Sequence, residues 1–252
     1  MAPVVSNYVV PFQQVAGQSL WKTSTIRREA LVNSYEANPT KFLSGPISII
    51  IFINAFNLAY TVKLGKSRYG TPEYNALMRN AKAKVPLRLI ARDIIGERSL
   101  TEEPTMRNLK RYAADTKIFG SLIWYAYEDG MRMSSRRKME MLGTINERQR
   151  NYKILTEDAF NKTMTRNLLS PWRQTSLIAN FDSCLLYGFQ NNCGSHFGVI
   201  AAHNIAQQRV LVLDVKYGRY WVKFDALLKA MRTISPESGF PRGMIEIDMV
   251  FV

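Results

Sequence analysis

The sequence predicts an α+β fold, and three observations carry that prediction. Helix-period apolar patterning fills the first half of the chain. A long apolar stretch, Ile47 to Val62, sits within it. From residue 175 onward the pattern changes to short β-branched and aromatic runs, separated by Gly, Asn and Gln. Helical patterns first and strands last is the order of an α+β chain. The 252 residues are 46% hydrophobic and 21% charged, enough to bury a substantial core and unlike a disordered composition.

Residues 1–33 read as an irregular or partly helical lead-in. They hold no acid before Glu29 and carry Lys22, Arg27 and Arg28 among Ser, Thr and Gln. That composition fits an organelle-targeting segment or an arm lying on a neighbour. No apolar run follows a basic start, so a secretory signal is not expected. Residues 34–43 read as a turn around Asn38-Pro39, and 44–64 as a long buried helix. Ser44-Gly45-Pro46 suits its N-terminus, because Pro is tolerated in a first turn. The apolar run is about 16 residues long, contains Asn54 and Asn57, and falls short of the ~20 a bilayer span requires. A core helix is therefore expected and a transmembrane span is not.

Residues 72–130 alternate further helical patterns, PEYNALMRNAKAKV and then TMRNLKRYAADTKIFGSLIWYAYE, the second preceded by Glu102-Glu103. Residues 131–173 differ: ten basic and four acidic residues, with Met131, Met133, Met139, Met141 and Met164. This segment reads as a basic helical insertion resting on something outside the core. SLIANFD, SHFGVIAAHN, RVLVLDV and MIEIDMVFV then read as antiparallel strands, with FDALLKAMRTI as an amphipathic helix between the last two. The expected organisation is an arm over 1–33 and one domain over 34–252 that carries the insertion.

The net charge of +14 bears on partners rather than fold. Nucleic acid, an anionic membrane surface or an acidic protein would each satisfy it. The candidate partner-binding residues are Arg136, Arg137, Lys138, Arg148, Arg150 and Lys153. Only Tyr152 and Phe160 lie near that run, so base stacking by an RNA-binding module is not indicated, although phosphate contact remains open. The two cysteines, Cys184 and Cys193, form no C-x-x-C pair and read as ordinary thiols in a reducing compartment. With His196 and His203 they can be drawn as a four-ligand zinc set, but their strand positions need not converge. There is no phosphate-binding glycine loop, and no cofactor is expected.

The run NNCGSHFGVIAAHNIAQQRVLVLDVKYGRYWV, followed by FDALLKAMRTI and RGMIEI, resembles the phytochelatin synthase family, whose fold is papain-like. The resemblance places His196 on the family's catalytic histidine and Asp214 on its catalytic aspartate. The residues themselves agree, since a strand His followed 18 positions later by Asp at the end of the next strand can form a pair. A shorter N-terminal likeness, Ser44-Gly45-Pro46-Ile47-Ser48 and then Asn54-Ala55, puts Ser44 where the family has its nucleophilic cysteine. Asn38 falls where the family has an oxyanion-holding Gln, and Gly198-Val199 replaces a Ser-Pro.

In that family the cysteine attacks glutathione and forms an acyl-enzyme. A thiolate at a helix N-terminus beside a charged histidine makes this possible, and a serine hydroxyl is far more basic. The resemblance thus implies a catalytically inactive member serving as a binding subunit of a larger assembly. The acid-poor start and high pI point to a mitochondrial respiratory or ribosomal complex, otherwise to the cytoplasm. An enzyme acting on glutathione-like peptides through Ser44, natural or engineered, is the alternative.

Overall fold

The computed structural model describes residues 7–35, 37, 44–55, 105–115, 119–128, 130–142, 152–169, 175–188 and 194–249. In chain order the elements are β1 (Val9–Pro11), α1 (Val15–Thr23), β2 (Ile26–Arg27), α2 (Glu29–Asn33) and α3 (Ser44–Ala55). Next come α4 (Met106–Asp115), β3 (Phe119–Tyr125), α5 (Ser135–Leu142), β4 (Tyr152–Ile154) and α6 (Glu157–Leu169). The C-terminal part is β5 (Thr175–Asp182), α7 (Ser183–Tyr187), β6 (Ser195–Asn204), β7 (Arg209–Asp214), β8 (Gly218–Lys223), α8 (Phe224–Met231) and β9 (Gly243–Met249).

The strands join in one sheet, in the order β1-β8-β7-β6-β5-β9-β3-β4, with β2 paired to β6. All pairings are antiparallel except β3 with β4. The expected α+β class holds, with helices dominating the N-terminal part and antiparallel strands the C-terminal part.

Successive side chains of a strand point to opposite faces, so each face of the sheet carries its own core. Phe197, Val199, Leu211, Leu213, Ile178, Ile245 and Ile247 share one face with the apolar residues of α3 and α4. Apolar residues of α6, α7 and α8 cover the other, where Phe181, Ile200, Val210, Val212 and Met244 lie. α3 is buried from Ser44 to Ile53, which explains why its sequence is apolar all round rather than striped. No helix among the described residues is long and apolar enough to cross a membrane.

Three expectations need correction. The lead-in, expected as an arm apart from the 34–252 domain, pairs with that domain's sheet, β1 with β8 and β2 with β6. Phe12, Leu31 and Val32 belong to the core, and buried Trp221 donates its indole N–H to the Gly17 carbonyl at 3.0 Å. Strands of two and three residues are too short to show a period, so the sequence hides them.

Second, the basic insertion is partly core. β4 extends the sheet beside β3, and Phe160, Met164 and Leu168 of α6 are buried. Third, residues 119–125 are a strand between β9 and β4, not a continuation of the preceding helix. Both faces of that strand are covered, which erases the alternation that marks a half-exposed strand. The pattern expected as a helix over 72–85 lies outside the described residues, as does the stretch expected to continue α3 from 56 to 64.

Candidate functional site

β6 and β7 bring His196 and Asp214 together. Gly198 stands opposite Asp214, and His196 is two residues earlier on the same face, diagonal to the carboxylate. The glycine is required there, because a Cβ on it would lie 2.5 Å from Val212 Cγ1 and 3.3 Å from the Leu213 carbonyl. His196 Nδ1 lies 3.8 Å from Asp214 Oδ2, beyond hydrogen-bond reach.

Asp214 is fully buried, and among the described residues its carboxylate accepts three hydrogen bonds. Oδ1 accepts the backbone N–H of Lys216 at 2.8 Å and of Tyr217 at 3.1 Å, which closes the turn into β8. Oδ2 accepts the Tyr187 hydroxyl at 2.8 Å. Among the described residues, His196 Nδ1 is a buried nitrogen with no hydrogen-bond partner. Its ring packs 4.9 Å from that of Tyr217 and 6.3 Å from that of Phe181. Burial lowers the His196 pKa. Asp214 pulls it back up, while Lys216 and Arg242 push it further down. The imidazole is therefore neutral near pH 7.

Ser44 is the first residue of α3 and is buried. Its carbonyl accepts the Ser48 hydroxyl at 2.8 Å, the ordinary back-bond of a helical serine. Among the described residues no hydrogen bond joins Ser44 to His196 or Asp214. The helix it begins packs on the face of β6 that carries Phe197 and Val199, the face from which His196 and Asp214 point away. His196 and Asp214 are thus neighbours, and Ser44 is not bonded to them. Asn38, Arg148 and Arg150 lie outside the described residues.

The expectation of two free thiols is corrected. Cys184 is disulfide-bonded, and the chain's one other cysteine is Cys193. The topology accounts for this, because Asp182 at the end of β5 pairs with Ser195 at the start of β6. The spacing is not C-x-x-C, so the sequence carries no signal for the bond. Among the described residues no group of His, Cys, Asp and Glu is arranged to hold a metal ion.

Of the expected partner residues, Arg136 and Lys138 are exposed on α5. Arg137 lies 4.8 Å from the centre of the buried Phe240 ring, which Arg107 also approaches at 3.9 Å. Lys153 sits 5.0 Å from the Trp124 ring. These two cations pack on aromatic faces as well as charging the surface.

Two polar clusters escape sequence reasoning. Arg242, almost fully buried, donates from Nε to Ser195 Oγ at 3.2 Å and pairs with Asp182 at 3.6 Å, tying β9 to the β5–β6 end. Buried Glu246 accepts from Trp124 Nε1 at 3.2 Å, Asn167 Nδ2 at 3.0 Å and Arg166 at 2.5 Å. A lone Glu inside the strand MIEIDM is the one sequence signal that such a cluster leaves.

The sequence model of the phytochelatin synthase family matches residues 109–244. That stretch is more than half of the chain; it contains Tyr187, His196 and Asp214 and stops short of Ser44. No curated protein is matched by the chain.

Proposed function

The chain belongs to the phytochelatin synthase family, and from that premise we propose that it is a non-catalytic member, kept as a structural or binding subunit of a larger assembly. The observation that carries this reading is the arrangement at Asp214. A carboxylate that is to orient a catalytic imidazole must hold its Nδ1–H. Here, among the described residues, Asp214 bonds the turn and Tyr187, and His196 Nδ1 has no hydrogen-bond partner.

The residue that the resemblance puts at the nucleophile position supports the same reading. Ser44 has no hydrogen bond to His196 that would draw off its proton, and an unactivated hydroxyl attacks an amide poorly. The charge of +14 supports a partner of opposite sign. Arg136 and Lys138 are positioned on the surface to meet such a partner. On this reading the setting is a mitochondrial complex, for which the acid-poor first 28 residues are the supporting feature.

The test is release of glycine from glutathione, measured for the protein as isolated and for Ser44→Cys. The reading predicts no release above background by either. Release by the protein as isolated would make it an enzyme with a serine nucleophile. Release by Ser44→Cys alone would mean that the site is intact apart from one atom, and would also overturn the reading.

A further inference from the structure

We propose that the Tyr187 phenol is a latch on Asp214, taking the carboxylate oxygen that would otherwise orient His196. The inference rests on the reading of the chain as non-catalytic and gives its His–Asp pair a physical cause for being uncoupled.

The geometry is a pull on one oxygen, which the Tyr187 bond holds beyond the imidazole's reach. Oδ2 of Asp214 is 2.8 Å from the Tyr187 hydroxyl and 3.8 Å from His196 Nδ1. Oδ1 is held by two backbone N–H groups and cannot turn toward the imidazole without opening the β7–β8 turn. Among the described residues, Tyr187 is the side chain whose hydroxyl anchors Oδ2, and its removal would release that oxygen to move toward His196.

The position of Tyr187 is strongly determined. It ends α7, a helix of five residues capped at its start by the Asp182 carboxylate, which accepts the backbone N–H of Cys184 at 2.9 Å and of Leu185 at 3.2 Å. Cys184 is tied by its disulfide. Gly188 closes the helix in the left-handed region at φ 74°, a conformation glycine adopts without strain. The Tyr187 ring is wedged edge-on against Phe181 at 5.9 Å and against Tyr217 at 5.3 Å.

Burial and the neighbouring Asp214 charge hold the Tyr187 phenol well above its usual ionisation range. It therefore stays protonated, and a hydrogen donor, at neutral pH. His196 also senses the charges of Lys216, Arg242 and Asp182, which Tyr187→Phe leaves in place.

The experiment is an NMR titration of the two histidines, His196 and His203, in isotopically labelled full-length protein, Tyr187→Phe and Tyr187→Phe/Asp214→Asn. Phenylalanine keeps the ring and removes only the hydroxyl. In Tyr187→Phe, His196 should bind its proton about tenfold more tightly than in the parent, the lower end of what a newly engaged carboxylate confers. Its Nδ1–H should shift downfield. His203 should not move, and the double variant should lose the gain.

An unchanged His196 titration in a folded Tyr187→Phe protein would overturn the latch. Should that variant not fold, the parent spectrum decides. A protected phenol proton bonded to carboxylate is expected, and a His196 Nδ1–H bonded to Asp214 would refute the proposal. Failure here leaves the glycine-release result untouched, so the two ideas fall separately.

Discussion

Gly17→Ala should destabilise the protein, although the general rule for helices points the other way. Gly17 lies within α1, where Ala would normally gain about 1 kcal/mol over Gly. A Cβ at this position would lie 2.2 Å from the Pro11 carbonyl oxygen and 2.9 Å from Phe12 Cα. Both are backbone atoms, so no rotamer change relieves the clash. Overpacking of this kind costs about 1–3 kcal/mol. Moving α1 away also stretches the 3.0 Å bond from Trp221 Nε1 to the Gly17 carbonyl, and a buried donor left unpaired costs about 1–3 kcal/mol more.

The net expectation is a loss of about 2–4 kcal/mol, or a fall in Tm of about 5–15 °C for a chain of this size. Urea unfolding followed by Trp fluorescence measures it, with Ser19→Ala on the exposed side of α1 as a control that should be neutral or slightly stabilising. A Gly17→Ala protein as stable as its parent would mean that the N-terminal segment is not packed on the sheet, and the reasoning would fail.

Acid should unfold the protein through its histidines. Burial holds the folded-state pKa of both His196 and His203 below the ordinary value. The unfolded chain therefore binds more protons than the folded one, stability rises with pH, and it is lost as pH falls below about 6.5, the unfolded value. His203→Leu should flatten that dependence, since His203 is buried against Phe224 with neither ring nitrogen hydrogen-bonded among the described residues; an unchanged pH profile would contradict it. Glu246→Ala should cost about 3–5 kcal/mol by calorimetry, because it strands Asn167, Trp124 and part of Arg166 together; a cost under 1 kcal/mol would show the cluster to be idle. Reducing the Cys184 disulfide should lower stability by roughly 2–3 kcal/mol, the entropy of a loop of about ten residues. Identical melts with and without dithiothreitol would exclude that contribution.

Legibility in the sequence followed burial and length. β5, β6, β7 and β9 run for six to ten residues between turn residues and stood out as strands. α8 is an amphipathic helix lying on one core, so its stripe was readable. β1 and β2 are too short to carry any period, and β3 is covered on both faces and lost its alternation. The basic segment misled because charge dominates its composition, while a few apolar side chains of α6 decide where it packs.

At the site, the His196–Asp214 pairing followed from strand spacing and the family resemblance. Tyr187 did not, because its role depends on how a five-residue helix turns back between two strands. Nothing in residue order reports which hydroxyl reaches a carboxylate 27 positions away.

Whether Ser44 behaves as a nucleophile can be read directly by treating the folded protein with a fluorophosphonate and locating the adduct by mass spectrometry. An unactivated hydroxyl, buried at the start of α3 and without a bond to His196, should remain unmodified while a serine hydrolase in the same tube is labelled to completion. Stoichiometric labelling of Ser44, abolished by His196→Ala, would establish a working Ser–His pair and contradict the non-catalytic account.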